Sequence, residues 1–528
     1  MKSTLFAIVF FVMMALSGCD QPAGSEQEAS AAAEAVPVQA APVQEVKKEE
    51  IEWFEGSVEE AFELARAENK PVFLYWGAVW CPPCVEIRQT VFKSQQFIAQ
   101  SKLFIPVYLD GDTERAQLYG EKFGTKVYPT MIVFSPETEE VTRLHAGIDI
   151  SAYNTVLELS LDSMRPTSQL VATALEAPEL LADTDLRRLA YYSWYDNEKA
   201  LPEGTPPEFF NALSEVTTER HPEISARFYL QYLVSLSGKD SAMADPEKLR
   251  AIINTPELMF ACWDYLTSNP SQISAVFGEH DAEIESLQKE WATVVKDHRH
   301  DDRLSTARQL SGWSPYLEFH FQGDEEKTRP LPDDVVAAIR ADGQAADEKT
   351  SGKYSRQSVI STLTGIYLDA GLVEDARQLL LAEIEKSNTP YYFMSYLAYL
   401  EEQQGNIPLA LDWRKKAFED SSGDATRIRW WAHYVQSVVR MAPENDELVL
   451  QSTRGLFDGA QSLDELFVGA NFRNLQKTSA ALEKWDREQH PEQSALSGFQ
   501  LQLEDLCSVQ PADSVELGNC RSLVAAEQ

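Results

Sequence analysis

The rhythm of apolar positions sets out two architectures. Val58, Ala61, Phe62 and Ala65 recur at helical spacing behind Ser57-Val58-Glu59-Glu60, a capping-box signature, and predict a helix running to about Asn69. Pro71 restarts the chain. Val72 to Trp76 is apolar at every position, the pattern of a central strand covered on both faces. A helix from about Pro83 follows. Then come a strand over Leu103 to Leu109, a helix over Thr113 to Phe123, and strands over Thr130 to Phe134 and Val141 to His145, the last two turned by Ser135-Pro136-Glu137. A helix over Ser151 to Leu161 closes an α-β-α-β-α-β-β-α order within residues 51–165.

Beyond Arg165-Pro166 the alternating strand signals stop. Residues 166–528 carry amphipathic helical patterns separated by short Pro, Gly, Asn and Asp turns. Near 355–420, Leu363, Tyr367, Gly371, Ala376 and Leu380 are matched at a 34-residue offset by Leu397, Glu401, Gly405, Ala410 and Arg414, with Ala417 at the next small position. Period and glycine-to-alanine spacing resemble a tetratricopeptide repeat. Glu401 and Arg414 depart from the pattern, and a third register near Trp431 lacks the Gly. Stacked repeats need about three units to bury a continuous core, so neighbouring helices must complete the array.

Ahead of both regions, Lys2 and an apolar run from Leu5 to Leu16 form a stretch too short for the ~20 residues that cross a membrane as a helix. It ends on Leu16-Ser17-Gly18-Cys19, which resembles the bacterial lipobox. The resemblance implies a signal peptide over 1–18, diacylation of Cys19, and a protein tied by lipid to the cell envelope, facing the periplasm; Asp20 implies inner-membrane retention. Residues 19–50, rich in Ala, Pro, Gln and Glu, hold too little apolar bulk to order and predict a disordered tether.

Composition narrows the function. The 528 residues carry a formal net charge of −37 and no dominant Lys or Arg cluster, which argues against nucleic acid as a partner. The chemistry sits in Trp80-Cys81-Pro82-Pro83-Cys84, at the carboxyl end of the apolar strand. A Cys at the start of a helix has its thiolate favoured by exposed N–H groups and the helix dipole, making Cys81 the attacking sulfur. Cys84, one turn inward, would resolve the mixed disulfide. Zinc also uses this spacing, but it needs two further ligands and the chain has no second such pair, so no metal is expected.

Trp80, the Cys pair behind an apolar strand, and Tyr128-Pro129-Thr130, with Pro129 placed 48 residues after Cys81, resemble the thioredoxin superfamily. Asn69-Lys70-Pro71-Val72-Phe73-Leu74 and Thr90-Val91-Phe92 are similar more narrowly to the C-terminal domain of transmembrane thiol:disulfide interchange proteins. The resemblance covers 51–165. It implies a thioredoxin-like α/β fold with a central mixed sheet flanked by helices, a cis Pro129 beside the sulfurs, and a strand end open to a substrate segment. Two departures stand out. Tyr75 occupies the place of the buried Asp six residues before the first Cys, and its accompanying Lys falls near Pro106. Pro82-Pro83 replaces the family's usual central pairs. Glu86 is a substitute proton acceptor or a solvated helix-face carboxylate.

Elsewhere, His298 and His300 belong to a solvated loop, His145 is structural, and Trp430 and Trp431 pack in a helical core. Cys507 and Cys520, 13 residues apart, predict a structural disulfide in an exported protein, and Cys262 a buried free thiol. The leading expectation is a periplasmic, membrane-anchored thiol-disulfide oxidoreductase, a reductase or isomerase using the dithiol and no other cofactor. Its partners would be envelope protein thiols and disulfides and an upstream membrane electron donor, with the helical region docking partners. The rival is a non-enzymatic tetratricopeptide-like adaptor or redox-sensing scaffold.

Overall fold

The computed structural model describes residues 50–144, 147, 149–237, 244–278, 282–324, 326–460 and 466–524. The expected signal peptide over 1–18, Cys19, almost all of the expected tether over 19–50, and His145 lie outside the described residues.

Helix α1 (Val58–Glu68) is opened by a reciprocal capping box. The Glu60 amide donates to Ser57 Oγ at 3.1 Å, and the Ser57 amide donates to the Glu60 carboxylate at 2.7 Å. Strand β1 (Val72–Gly77) is buried along its whole length. Alternate side chains face opposite ways: Val72, Leu74 and Trp76 pack on Ala61, Phe62 and Ala65, while Phe73 and Tyr75 meet Phe92, Phe97 and Tyr153. Helix α2 (Pro82–Gln89) follows, then a short helix α3 (Gln95–Gln100), strand β2 (Ile105–Asp110), helix α4 (Glu114–Lys122), strands β3 (Thr130–Phe134) and β4 (Glu140–Leu144), and helix α5 (Ile150–Ser163). The sheet order is β2-β1-β3-β4, with β1 and β2 parallel and the other pairs antiparallel.

Two local expectations change. Leu103 is not in a strand. It ends a 3₁₀ turn and is 58% exposed, because the ladder with β1 starts at Val72 opposite Ile105. Helix α3, capped by the Ser94 hydroxyl, spans only six residues, too few to show a periodic stripe.

Every element described after α5 is helical. The helical region does not stand apart from the sheet, since one apolar core runs continuously from Phe73 and Tyr153 through Leu170, Leu213 and Tyr229 to Trp291 and Leu304. Edge strand β4 is covered as well. Its Val141 carbonyl accepts from Thr167 Oγ1 at 2.8 Å and Arg188 Nη2 at 2.7 Å, and its Arg143 carbonyl accepts from the Ser193 amide at 2.8 Å. An exposed edge would invite strand addition, and these bonds remove it.

Within 353–420, the helices Lys353–Asp369, Val373–Ile384, Pro390–Gln403 and Ile407–Asp420 follow one another across short turns, with Gly371 and Gly405 at matching places and φ of 70° and 74°. Further on, Cys507 and Cys520 are joined as a disulfide linking the last two described helices, Ser497–Ser508 and Val515–Val524, with Cα atoms 5.5 Å apart. Among the described residues no helix is long and apolar enough to cross a membrane.

Candidate functional site at the Cys81–Cys84 pair

Cys81 is the N-cap of α2. It takes extended backbone angles at the end of the β1 loop, and Pro82 fits the first helical position because no N–H is needed there. The Cys84 amide donates to Cys81 Sγ at 3.3 Å, and the two sulfurs are joined, with Cα atoms 5.2 Å apart. A thiolate at Cys81 would therefore face a helix N-terminus and one aligned N–H, both favouring the charged form.

Tyr75 lies beneath the pair, its hydroxyl 3.5 Å from the Cys84 carbonyl oxygen. Burial pushes that phenol far above its ordinary range, so it stays protonated and supplies no base. Its strand neighbour is Tyr108, stacked at 5.3 Å; Pro106 faces Phe73 instead, so the position expected near Pro106 for a partner lies two residues away. The Tyr128–Pro129 bond is cis, and the Tyr128 ring meets Trp80 edge-on at 6.2 Å, which brings that bond to the motif. Pro129 is itself buried.

The helical region closes over this site. Cys81 is 3% exposed and Cys84 fully buried, in a cluster with Tyr391, Met394, Ala417 and Trp430. Trp80 is held on every side. Its carbonyl accepts from Gln357 Nε2 at 2.9 Å and its indole N–H donates to Asp112 Oδ1 at 2.7 Å. Its ring stacks on Tyr392 at 6.3 Å, meets Trp430 edge-on at 6.0 Å, and lies 4.5 Å beneath the Arg429 guanidinium. Glu86, half-buried, points into the same seam and accepts from the hydroxyls of Ser305 and Ser358. The solvated reading of Glu86 is thereby replaced by an interdomain one.

Asp112, Gln357 and Arg429 were not singled out from sequence. The available signal for Asp112 was its place just past the carboxyl end of β2, where open α/β sheets gather their sites. Its carboxylate also accepts from the Thr426 hydroxyl, and desolvation pushes its pKa up to about 6 against those hydrogen bonds. Gly423, at φ 91°, permits this approach, since a Cβ there would lie 2.7 Å from Asp112 Cβ. Cys262 is fully buried, and burial pushes its thiol up to about 12, so it takes no part. His298 ends a helix and His300 pairs with Asp342 at 3.3 Å; among the described residues no His, Cys, Asp and Glu group is arranged to hold a metal.

Fold and site together define a dithiol/disulfide centre on an α/β sheet. Residues 53–136 match the family model described as Thioredoxin-like, and this stretch of the chain is a thioredoxin-like domain. No curated protein matches the chain.

The seal has a measurable consequence. A small phosphine should reduce Cys81–Cys84 far faster than a protein dithiol can, and Gln357→Ala or Met394→Ala should raise the protein-dithiol rate roughly tenfold, equivalent to about 1.4 kcal/mol of opening. Equal rates in the parent for both reductants, by thiol alkylation and mass spectrometry, would contradict the seal.

Asp112 gives a second expectation. Its folded pKa lies above the unfolded one, so the native state holds the proton more tightly, and this group favours folding at low pH and loses that contribution as pH rises from about 4 to 6. Denaturant melts of Asp112→Asn should lack this loss. Identical pH slopes over that window for parent and variant would remove the assignment.

Proposed function

We propose that the protein is a thiol-disulfide oxidoreductase of the cell envelope, acting on protein disulfides as a reductase or isomerase. The observation that carries it is Cys81 at the N-cap of α2 with the Cys84 amide aimed at its sulfur. In the reduced form, the Cys81 thiolate attacks one sulfur of a substrate disulfide, the substrate S–S bond breaks, and the departing thiolate takes a proton. The Cys84 thiolate then attacks Cys81, forming the intramolecular disulfide and releasing the second substrate thiol. Two electrons pass to the substrate. An upstream membrane dithiol would restore the pair, and no further cofactor is required.

The buried sulfurs favour a second reading, a redox-responsive scaffold. There the same pair, oxidised or reduced, sets how tightly the helices at 353–441 hold the thioredoxin-like domain. The two readings part on whether a partner ever reaches Cys81.

Trapping in envelope extracts decides between them. Cys84→Ser should accumulate mixed disulfides that vanish with reductant, whereas a Cys81→Ser, Cys84→Ser double variant should form none. Identical adduct patterns, or none in either with a silent exchange assay, would favour the scaffold.

The placement in the envelope rests on Leu16-Ser17-Gly18-Cys19. Metabolic fatty-acid labelling should mark the parent and spare Cys19→Ala; equal label in both would refute the lipid anchor.

A further inference from the structure

A cavity of about 380 Å³ opens between the helices Pro390–Gln403, Ile407–Asp420 and Asp424–Met441. Its lining combines the aromatic rings of Tyr392, Tyr396 and Trp430 with Arg414, Arg429 and Arg440. The three arginines are not equally satisfied. Arg440 is matched by Glu402 through two bonds of 2.8 and 2.7 Å. Arg414 gives one Nη to the Ser395 hydroxyl, and its buried Nε has no partner. Arg429 rests on the Trp80 ring, and its buried Nε is likewise unpartnered. Neither Arg414 nor Arg429 forms an ion pair among the described residues.

The surrounding field is also positive. Asp112 is the carboxylate whose charge reaches Arg429, and it is already engaged by Trp80 and Thr426. Arg473 and Lys477, on the helix Gly469–Gln489, add charge of the same sign, and Glu402 is spent on Arg440. His433, which also lines the cavity, is pushed down to about 3 by burial and by Arg429, Arg414 and Lys477, so the site resists a further cation. A chain of net charge −37 has carboxylates in excess, yet none lines this cavity; the charge of Glu402 reaches Arg414 and that of Asp112 reaches Arg429, each from a carboxylate engaged elsewhere. Partly buried guanidinium groups without an ion-pair partner give up hydration that nothing in the protein fully replaces. Their planar forks suit phosphate and carboxylate oxygens, and the volume lies within the range of small-molecule sites.

We propose that this cavity binds a small anion carrying two or more negative charges, on phosphate or carboxylate groups, through the forks of Arg414 and Arg429. The site adjoins the redox loop, but anion binding there does not depend on the thiol chemistry. Because Arg429 also lies on Trp80, an occupant would be one side chain away from the redox loop, and the buried indoles of Trp80 and Trp430 would report its arrival.

The test titrates the oxidised full-length protein with pyrophosphate and, in a separate arm, citrate, reading tryptophan fluorescence and the melting temperature. Saturable one-site binding of at least one probe is expected, with a rise in melting temperature. A response to pyrophosphate alone assigns phosphate chemistry, and a response to citrate alone assigns carboxylates. Arg414→Gln and Arg429→Gln should each weaken binding roughly tenfold or more, and Arg414→Lys, which keeps the charge but loses the fork, should fall between. Arg220→Gln, at an exposed ion pair with Asp183, should bind as the parent does. If Arg429→Gln fails to fold because of its Trp80 contact, the two Arg414 variants decide. No saturable response to either probe up to about 10 mM, or binding unchanged in the Arg414 variants, overturns the proposal.

Discussion

The seating of Trp80 between the sheet domain and the helices is the contact on which the arrangement depends. Burying an indole removes about 150–250 Å² from water, a gross gain of roughly 4–6 kcal/mol at 25 cal/mol per Å². Here that surface is divided. Tyr128 and Asp112 take part of it from the sheet side, while Tyr392, Trp430 and Arg429 take the rest from the helices. Neither body completes the pocket alone. Because Cys81 is the next residue, the contact that orders the redox loop also hides it.

The two halves of the interdomain surface differ in kind. On the β4 side the core is continuous and apolar, and backbone groups of the edge strand are bonded to the helical region. On the α2 and α4 side, the apolar cluster around Trp80 is joined by single polar bonds: Gln357 to the Trp80 carbonyl, Ser358 to Glu86, and the Ala470 amide to Gln117 Oε1 at 2.8 Å. Exchanging a bond of this second kind for water is nearly balanced in free energy, whereas exposing the shared core is not. The chemistry thus lies beneath the half where polar bonds of this kind supplement the apolar cluster around Trp80.

Local pattern made the sheet legible. The unbroken apolar run of β1, the capping box at Ser57 and the turn at Ser135-Pro136 are short-range signals, and each settles an element without help from distant residues. Helix α3 escaped because six residues capped by one Ser show no stripe, and Leu103 was drawn into a strand because its apolar character resembles that of the residues after it. The Cys pair and Pro129 were marked by spacing. Gln357 and Arg429 were not, since they meet Trp80 across hundreds of residues of chain, and nothing in one sequence records which helix face returns to the sheet. Trp430 was placed correctly as a buried side chain, but what it is buried against could not be read.

The two positions that break the 34-residue pattern explain themselves by charge. Glu401, opposite Tyr367 in the register, is 1% exposed yet satisfied, accepting from Asn406 Nδ2 at 2.7 Å and pairing with Arg377 from the preceding helix pair. It replaces an apolar contact between successive units with an ionic one, and a buried pair with both partners and added hydrogen bonds is tolerated where a lone charge is not. Arg414, opposite Leu380, has no such partner and turns to the cavity wall instead. Leu380 is fully buried in the apolar core, so the same register position does opposite work in adjacent units. The departure at Arg414 is the point along the array at which apolar packing gives way to a cavity lining.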